Sequence, residues 1–170
     1  MSGIDYDTEW INLDGNHIHR TAIVHPNVKM GTGNWIGAYS VIGGNGEIRG
    51  VDQREFKGIV WIGDNNVISE HVTIQRPYEE NHMTCIGNQC LIMAHSHIGH
   101  DAIVESGVEV CSGSVIGGYA WVRPRAKIKL GAVVRNRVSV GEGAIVGMMS
   151  CVTKDVPDNA TVYGNPAKEH

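Results

Sequence analysis

Every sixth residue from Ile86 to Val152 is isoleucine or valine: Ile86, Ile92, Ile98, Val104, Val110, Ile116, Val122, Ile128, Val134, Val140, Val146 and Val152. Few chain geometries tolerate that spacing. An α-helix returns a side chain to one face after about 3.6 residues and an extended strand after two. A spacing of six suits a short strand followed by a bend, with one aliphatic side chain pointing inward per strand. Three such units close a coil, and successive coils stack at the ordinary inter-strand spacing of about 4.8 Å. Backbone donors and acceptors then pair between coils, so open sheet edges remain only at the two ends.

The other places in the unit agree. Four residues after most anchors stands a small or β-branched residue, as at Ser96, Ala102, Ser114, Ala120 and Ala126, sized for the narrow inside of a bend. Glycine often follows the anchor directly, as at Gly87, Gly99, Gly117 and Gly141. Earlier in the chain the phase runs Ile18, Val24, Met30, Ile36, Ile42, Ile48, and it resumes at Ile62, Ile68 and Ile74. With 22 Gly and one Phe in 170 residues, the composition favours short strands and tight turns over helices. The expectation is an all-β chain: a lead-in at 1–17, a parallel β-helix over 18–157 of about seven coils, and a tail at 158–170. The period does not set its handedness.

Two segments break the rhythm and are expected to be extruded loops, near 44–58 (GNGEIRGVDQREFKG) and 76–84 (RPYEENHMT). Both precede a histidine-rich coil, and Gln53 and Arg76 within them are polar enough to hold a sugar or phosphate. The net charge of −4 gives no basic footprint for nucleic acid or an anionic membrane. With no apolar run of membrane-spanning length and no basic-then-apolar leader, a soluble, cytoplasmic chain is expected. Cys85, Cys90, Cys111 and Cys151 show no CxxC pairing and read as free thiols. Arg123, Arg125, Lys127 and Lys129 alternate with Pro, Ala and Ile and read as one exposed sheet face.

The histidine-rich stretch is AHSHIGHD, Ala94 to Asp101. Counted from the anchor Ile98, His100 and Asp101 take the third and fourth places, at the bend, where side chains project outward. One coil later those places hold Gly118 and Tyr119, and one further Asn136 and Arg137. His100 thus stands on an outer edge with a bare glycine beyond it, which leaves room for a substrate. His97 and His95 fall at other places of their units and are expected to point elsewhere.

The repeat resembles the hexapeptide acyltransferase superfamily, whose members are left-handed β-helices and typically trimers. Within it, IHRTAIVHPNVKMGTGNWIGAYSVIG, IGDNNVISEHVTIQRP, CLIMAHSHIGHDAIV and VGMMSCVTKDVPDNATVYGNP are similar to the UDP-N-acetylglucosamine acyltransferases that open lipid A synthesis. The resemblance implies that His100 is a general base, Asp101 the acid beside it, and Gly118 a backbone N–H for the oxyanion. It implies that His97 is a neighbouring active-site histidine and Met148 a ruler of acyl-chain length, while Gln53, Tyr119 and Asn136 are expected to bind substrate from their places around His100. Departures from the family's pattern bear on acceptor and donor. Tyr119 replaces a histidine, Arg135-Asn136-Arg137 replaces His-Gln-aromatic, and DQREFKG only partly matches the nucleotide-sugar loop. The sequence given ends at GNPAKEH without the family's helical C-terminal domain, and GNPAK is widespread among CoA-dependent acetyltransferases of the superfamily.

Acyl transfer from a thioester needs a base to take a proton from the attacking hydroxyl or amine, and neutral imidazole suits this near pH 7. No Ser or Cys is evidently placed as a nucleophile, which favours direct attack. The expected partners are a second and third copy of the chain, an acyl carrier protein or acyl-CoA as co-substrate, and a nucleotide sugar, with no bound cofactor or metal. Two rivals share the fold. A γ-type carbonic anhydrase would use HxHxxH on zinc, but one metal needs converging nitrogens and that family's histidine spacing is absent. A non-catalytic trimeric scaffold would leave HIGHD without a purpose.

Overall fold

The computed structural model describes residues 9–170, so the first eight residues of the expected lead-in lie outside the described residues. Two-residue strands dominate, and they build three sheets that form the faces of a prism. Sheet A carries Asn16–His19, Trp35–Ile36, Val67–Ile68, Leu91–Ile92, Glu109–Val110, Lys127–Ile128, Ile145–Val146 and Thr161–Gly164. Sheet B carries Ile23–Val24, Val41–Asn45, Thr73–Arg76, His97–Ile98, Val115–Ile116, Val133–Val134 and Cys151–Val152. Sheet C carries Val28–Met30, Ile59–Ile62, Met83–Ile86, Ile103–Val104, Trp121–Val122 and Ser139–Val140. Pairing within these ladders is parallel and mostly eighteen residues apart, as in His97 with Val115 and Ile98 with Ile116. This is the left-handed parallel β-helix.

Every anchor from Ile86 to Val152 is buried, and the small fifth-place residues are buried with them. The anchors stack into one axial column because each coil sets its inward side chain over the last. At the ends, Trp10–Leu13 and Ala167–Glu169 pair antiparallel with the outermost parallel strands of sheet A.

The two interruptions show in the register. Ile42 pairs with Ile74, thirty-two residues on, because the first loop leaves after Asn45 and returns at Ile59. Val67 pairs with Leu91, twenty-four residues on, so the second excursion has the length of one repeat unit. Ile48 is therefore no anchor: it lies in the first loop and outside the core. Nor do the four basic residues share a sheet face. Arg123 follows a sheet C strand while Lys127 belongs to sheet A. They wrap a corner, with Arg125 on Glu142 and both lysines on Glu109.

The bends have a fixed geometry. The fourth place of every unit from Ile86 to Val146 lies in the left-handed region, with φ between 55° and 72°. Four of these residues are glycine (Gly107, Gly113, Gly131, Gly143), and the others, Asp101 and Tyr119 included, hold the same conformation with a side chain. An L-residue there costs roughly 1–2 kcal/mol, least for Asp and Asn, whose side chains bond locally. The bend thereby aims fourth-place side chains outward beside third-place ones.

Candidate active site

His100, Gly118 and Asn136 stack at the corner leading from sheet B to sheet C. His100 Nδ1 lies 2.8 Å from Asp101 Oδ2, and the two side chains are only 12% and 6% exposed. The left-handed backbone at Asp101 turns its carboxylate back onto the preceding imidazole, so adjacent bend residues converge instead of diverging. The Asp101 N–H donates to Thr84 Oγ1 at 2.8 Å. With Nδ1–H donated to the carboxylate, Nε2 is left as the acceptor. That atom faces Gly118, where a Cβ would stand 2.9 Å from it.

Gly118 serves twice. Its missing side chain keeps Nε2 accessible, and its N–H has no intramolecular acceptor among the described residues. Elsewhere the third-place amides of Thr32, Asp64, Asn88 and Glu142 donate to side chains of a neighbouring coil. The amides of Ala94, His100, Ser112 and Asn136, like that of Gly118, have no such partner among the described residues; at Gly118 the bare glycine leaves the amide uncovered beside His100 Nε2. Tyr119 stands edge-on to His100, 5.2 Å between centroids, and Arg137 lies over its other side at 4.1 Å. Burial, with the nearby Asp101 carboxylate, pushes the Tyr119 phenol up while Arg137 opposes, so it remains a neutral wall.

A concavity of about 220 Å³ opens here, lined by Glu47, Gln75, His97, Gly99, His100, Val115, Gly117, Gly118 and Asn136. His97 and His100 thus meet in one cleft, against the expectation that their places send them to separate parts of the surface. The expectation neglected that a sheet face and the corner at its end share one hollow. His97 Nδ1 is 2.7 Å from Thr73 Oγ1 on the preceding coil. Burial holds the His97 imidazole below its ordinary range, with Glu47 opposing and His100 adding to the shift. It is neutral at pH 7. The unfolded chain takes up that proton more readily, so this contribution to stability is present above the ordinary histidine range and is lost as pH falls. His97→Gln should therefore flatten the decline in the urea midpoint between pH 7.5 and pH 5; an unaltered decline would exclude His97 as its source.

Both loops close on this corner of their own chain. A Cβ at Gly46 would stand 2.9 Å from His100 Cβ, so the first loop packs its backbone on the imidazole side chain and brings Glu47 to the cleft. Arg76 Nε donates to Asn45 Oδ1 at 2.8 Å, and Asn45 Nδ2 to the Gln53 carbonyl at 2.6 Å. Gln53 and Arg76 are thus tied into one network, with the Gln53 side chain exposed beside it. The second loop brings His82 onto the other carboxylate oxygen, Nδ1 to Asp101 Oδ1 2.7 Å.

Met148 is not at this site within one chain. It is 66% exposed and stands at the corner from sheet A to sheet B, whereas His100 stands at the corner from B to C. Of the residues sequence reasoning passed over, Gln75 carried a signal, a polar residue at the place after the anchor that holds glycine in the next two coils. Glu47 lies in a loop and carried none.

The prism, its glycine-lined cleft and its repeat define the class. Residues 86–118 match the family "Bacterial transferase hexapeptide (six repeats)", and the chain is similar to that class. Within that class it is similar to one group in particular. It is 36% identical over 146 residues to the acyl-[acyl-carrier-protein]–UDP-N-acetylglucosamine O-acyltransferase of Gloeothece citriformis, covering 86% of this chain and 52% of that one. The Pseudomonas aeruginosa protein of the same name is 38% identical over 108 residues, 63% of this chain and 42% of its own. Among solved structures, the UDP-N-acetylglucosamine acyltransferase of Bacteroides fragilis superposes with a TM-score of 0.87 at 27% identity, over 92% of this chain and 61% of that one. The Moraxella catarrhalis UDP-N-acetylglucosamine O-acyltransferase follows at 0.74 and 26%, over 90% and 73%. The chain spans about half the length of the curated relatives it matches. Among the described residues, no helix is long and apolar enough to cross a membrane.

Proposed function

We propose that the chain transfers an acyl group from a phosphopantetheine thioester to a hydroxyl of a nucleotide-linked sugar, with His100 as general base. The observation that carries this reading is the His100–Asp101 pair, with Nδ1 held on a buried carboxylate and Nε2 facing the Gly118 gap. Nε2 takes the proton as the acceptor oxygen attacks the thioester carbonyl. The Gly118 N–H receives the developing oxyanion. Collapse expels the thiolate, which leaves with the proton from the imidazolium. No residue lining the cleft is Ser, Thr or Cys, which supports direct attack over an acyl-enzyme.

The acceptor class and the carrier-protein donor rest on what the relatives' names say of those proteins. The working unit is proposed to be a homotrimer, and Met148 then measures acyl chains only at the cleft of a neighbouring copy. Asn136, in the cleft, and Gln53, Arg76 and Tyr119 around it are proposed to hold the sugar nucleotide.

A panel of acyl-carrier-protein and acyl-CoA donors against UDP- and dTDP-sugars tests this. The expected result is transfer to UDP-N-acetylglucosamine, faster from the carrier protein than from CoA. Preference for CoA would revise the donor. Absence of transfer from every thioester, with a stable oligomer, would favour a scaffold.

A further inference from the structure

We propose that His82 is a positioning residue for His100, acting through the carboxylate that the two imidazoles share. The proposal rests on the reading of His100 as the base and deepens it.

Asp101 is almost completely buried and acceptor-only when ionised, so each of its oxygens needs a donor. His100 Nδ1 supplies one at 2.8 Å and His82 Nδ1 the other at 2.7 Å. A carboxylate gripped at one oxygen turns about its χ2; gripped at both, it presents a fixed plane to His100. Two donations also set both tautomers, which keeps His100 Nε2 unprotonated towards Gly118. The strand Met83–Ile86 that follows the loop reinforces the grip, because Thr84 Oγ1 accepts the Asp101 N–H at 2.8 Å. The second loop therefore clasps Asp101 at its backbone and, through His82, at its side chain. On the far side, His82 Nε2 lies 3.4 Å from Glu79 Oε2. The charged and titratable groups around the pair are Glu79 on the loop, Asp101 and His100 at the corner, and Tyr119 and Arg137 on the next two coils.

A simpler role would be to tie the loop down, and the two are separable. Removing the carboxylate needs a residue that accepts φ near +60°, and the chain itself uses glycine at the equivalent place in Gly107, Gly113 and Gly131. Asp101→Gly thus deletes the carboxylate without backbone strain. His82→Asn places its Nδ2 donor close to where Nδ1 stood.

Acyl-transfer kinetics of the full chain should show His82→Ala lowering kcat about ten-fold, with KM changed by less than about two-fold. His82→Asn should recover most of the loss, and His82→Ala should cost nothing further in an Asp101→Gly background. Long-range ¹⁵N spectra of the imidazoles should show His100 protonated at Nδ1 in the wild type and a mixture of tautomers in His82→Ala. Unchanged kcat in His82→Ala, no rescue by asparagine, or an equal loss in the Asp101→Gly background each overturns the proposal. Full turnover in His100→Ala would instead remove the reading of His100, while the ¹⁵N spectra still decide whether His82 sets its tautomer.

Discussion

His100→Ala is expected to lower acyl transfer by about two orders of magnitude or more, the usual worth of a positioned general base. The fold should survive it. The His100 side chain lies at a bend outside the axial column, and the strand it follows is held by Ile98, whose coil pairs on both sides. What remains after the substitution is the Gly118 N–H and the binding cleft, so the residual rate should exceed that of the solution reaction. Asp101→Asn is the instructive companion, because asparagine tolerates the left-handed backbone at φ 60° as well as aspartate does. It removes the charge, supplies one acceptor where the carboxylate supplied two, and leaves the bend intact. Its rate should fall between wild type and His100→Ala. Steady-state kinetics with a carrier-protein donor, alongside circular dichroism, make the measurement. Turnover unchanged in His100→Ala would end the assignment of that residue as base. One stoichiometric zinc in the wild type, lost on His100→Ala, would favour the anhydrase reading.

The prism was legible in the sequence because its burial is strictly periodic. A repeat of six imposes the same inward, bend and outward environments on every unit, so one pattern reports all three. Each loop was legible only as a break in that pattern. Their paths were not, since a chain outside the prism has no neighbour at a fixed offset; His82 on Asp101 and Gly46 on His100 are therefore features of structure alone. His100, Asp101 and Gly118 were legible because a bend places them by counting. Counting also separates Met148 from His100: their numbers differ by forty-eight, which is no whole number of eighteen-residue coils, so they fall on different corners. The left-handed fourth place left little trace, because glycine, aspartate, tyrosine, arginine and methionine all occupy it. The bend is dictated by coil closure, and the residue conforms.

Asn34→Ala should have the largest effect on stability, a loss of about 3–5 kcal/mol. Asn16, Asn34 and Asn66 form a buried ladder inside the corner from sheet C to sheet A, where the later coils carry Val108, Ala126 and Ala144. Asn34 Nδ2 donates to Asn16 Oδ1 and to the Gly63 carbonyl, each at 2.9 Å. Its Oδ1 accepts the Asn66 N–H and the Asn66 Nδ2, again at 2.9 Å. The amide group suits the place because it both donates and accepts, so each rung satisfies the next. Later coils dispense with it by closing the same N–H onto their own second residue, Ala126 onto the Arg123 carbonyl at 3.3 Å and Ala144 onto Gly141 at 3.2 Å. In the ladder coils that N–H reaches to the neighbouring rung instead. Alanine at 34 therefore strands several buried groups together, the Asn66 N–H foremost. Each stranded group costs about 1–3 kcal/mol, and partial relaxation towards the alanine-type bend limits the sum. Stacked coils contact only their neighbours, so the damage should be local at first. Hydrogen exchange should accelerate in the first two coils before it does around His100, and the urea midpoint should fall. A loss below about 1 kcal/mol would mean that the bend at Asn66 closes onto itself as Ala126 does, and the ladder would then be dispensable for stability.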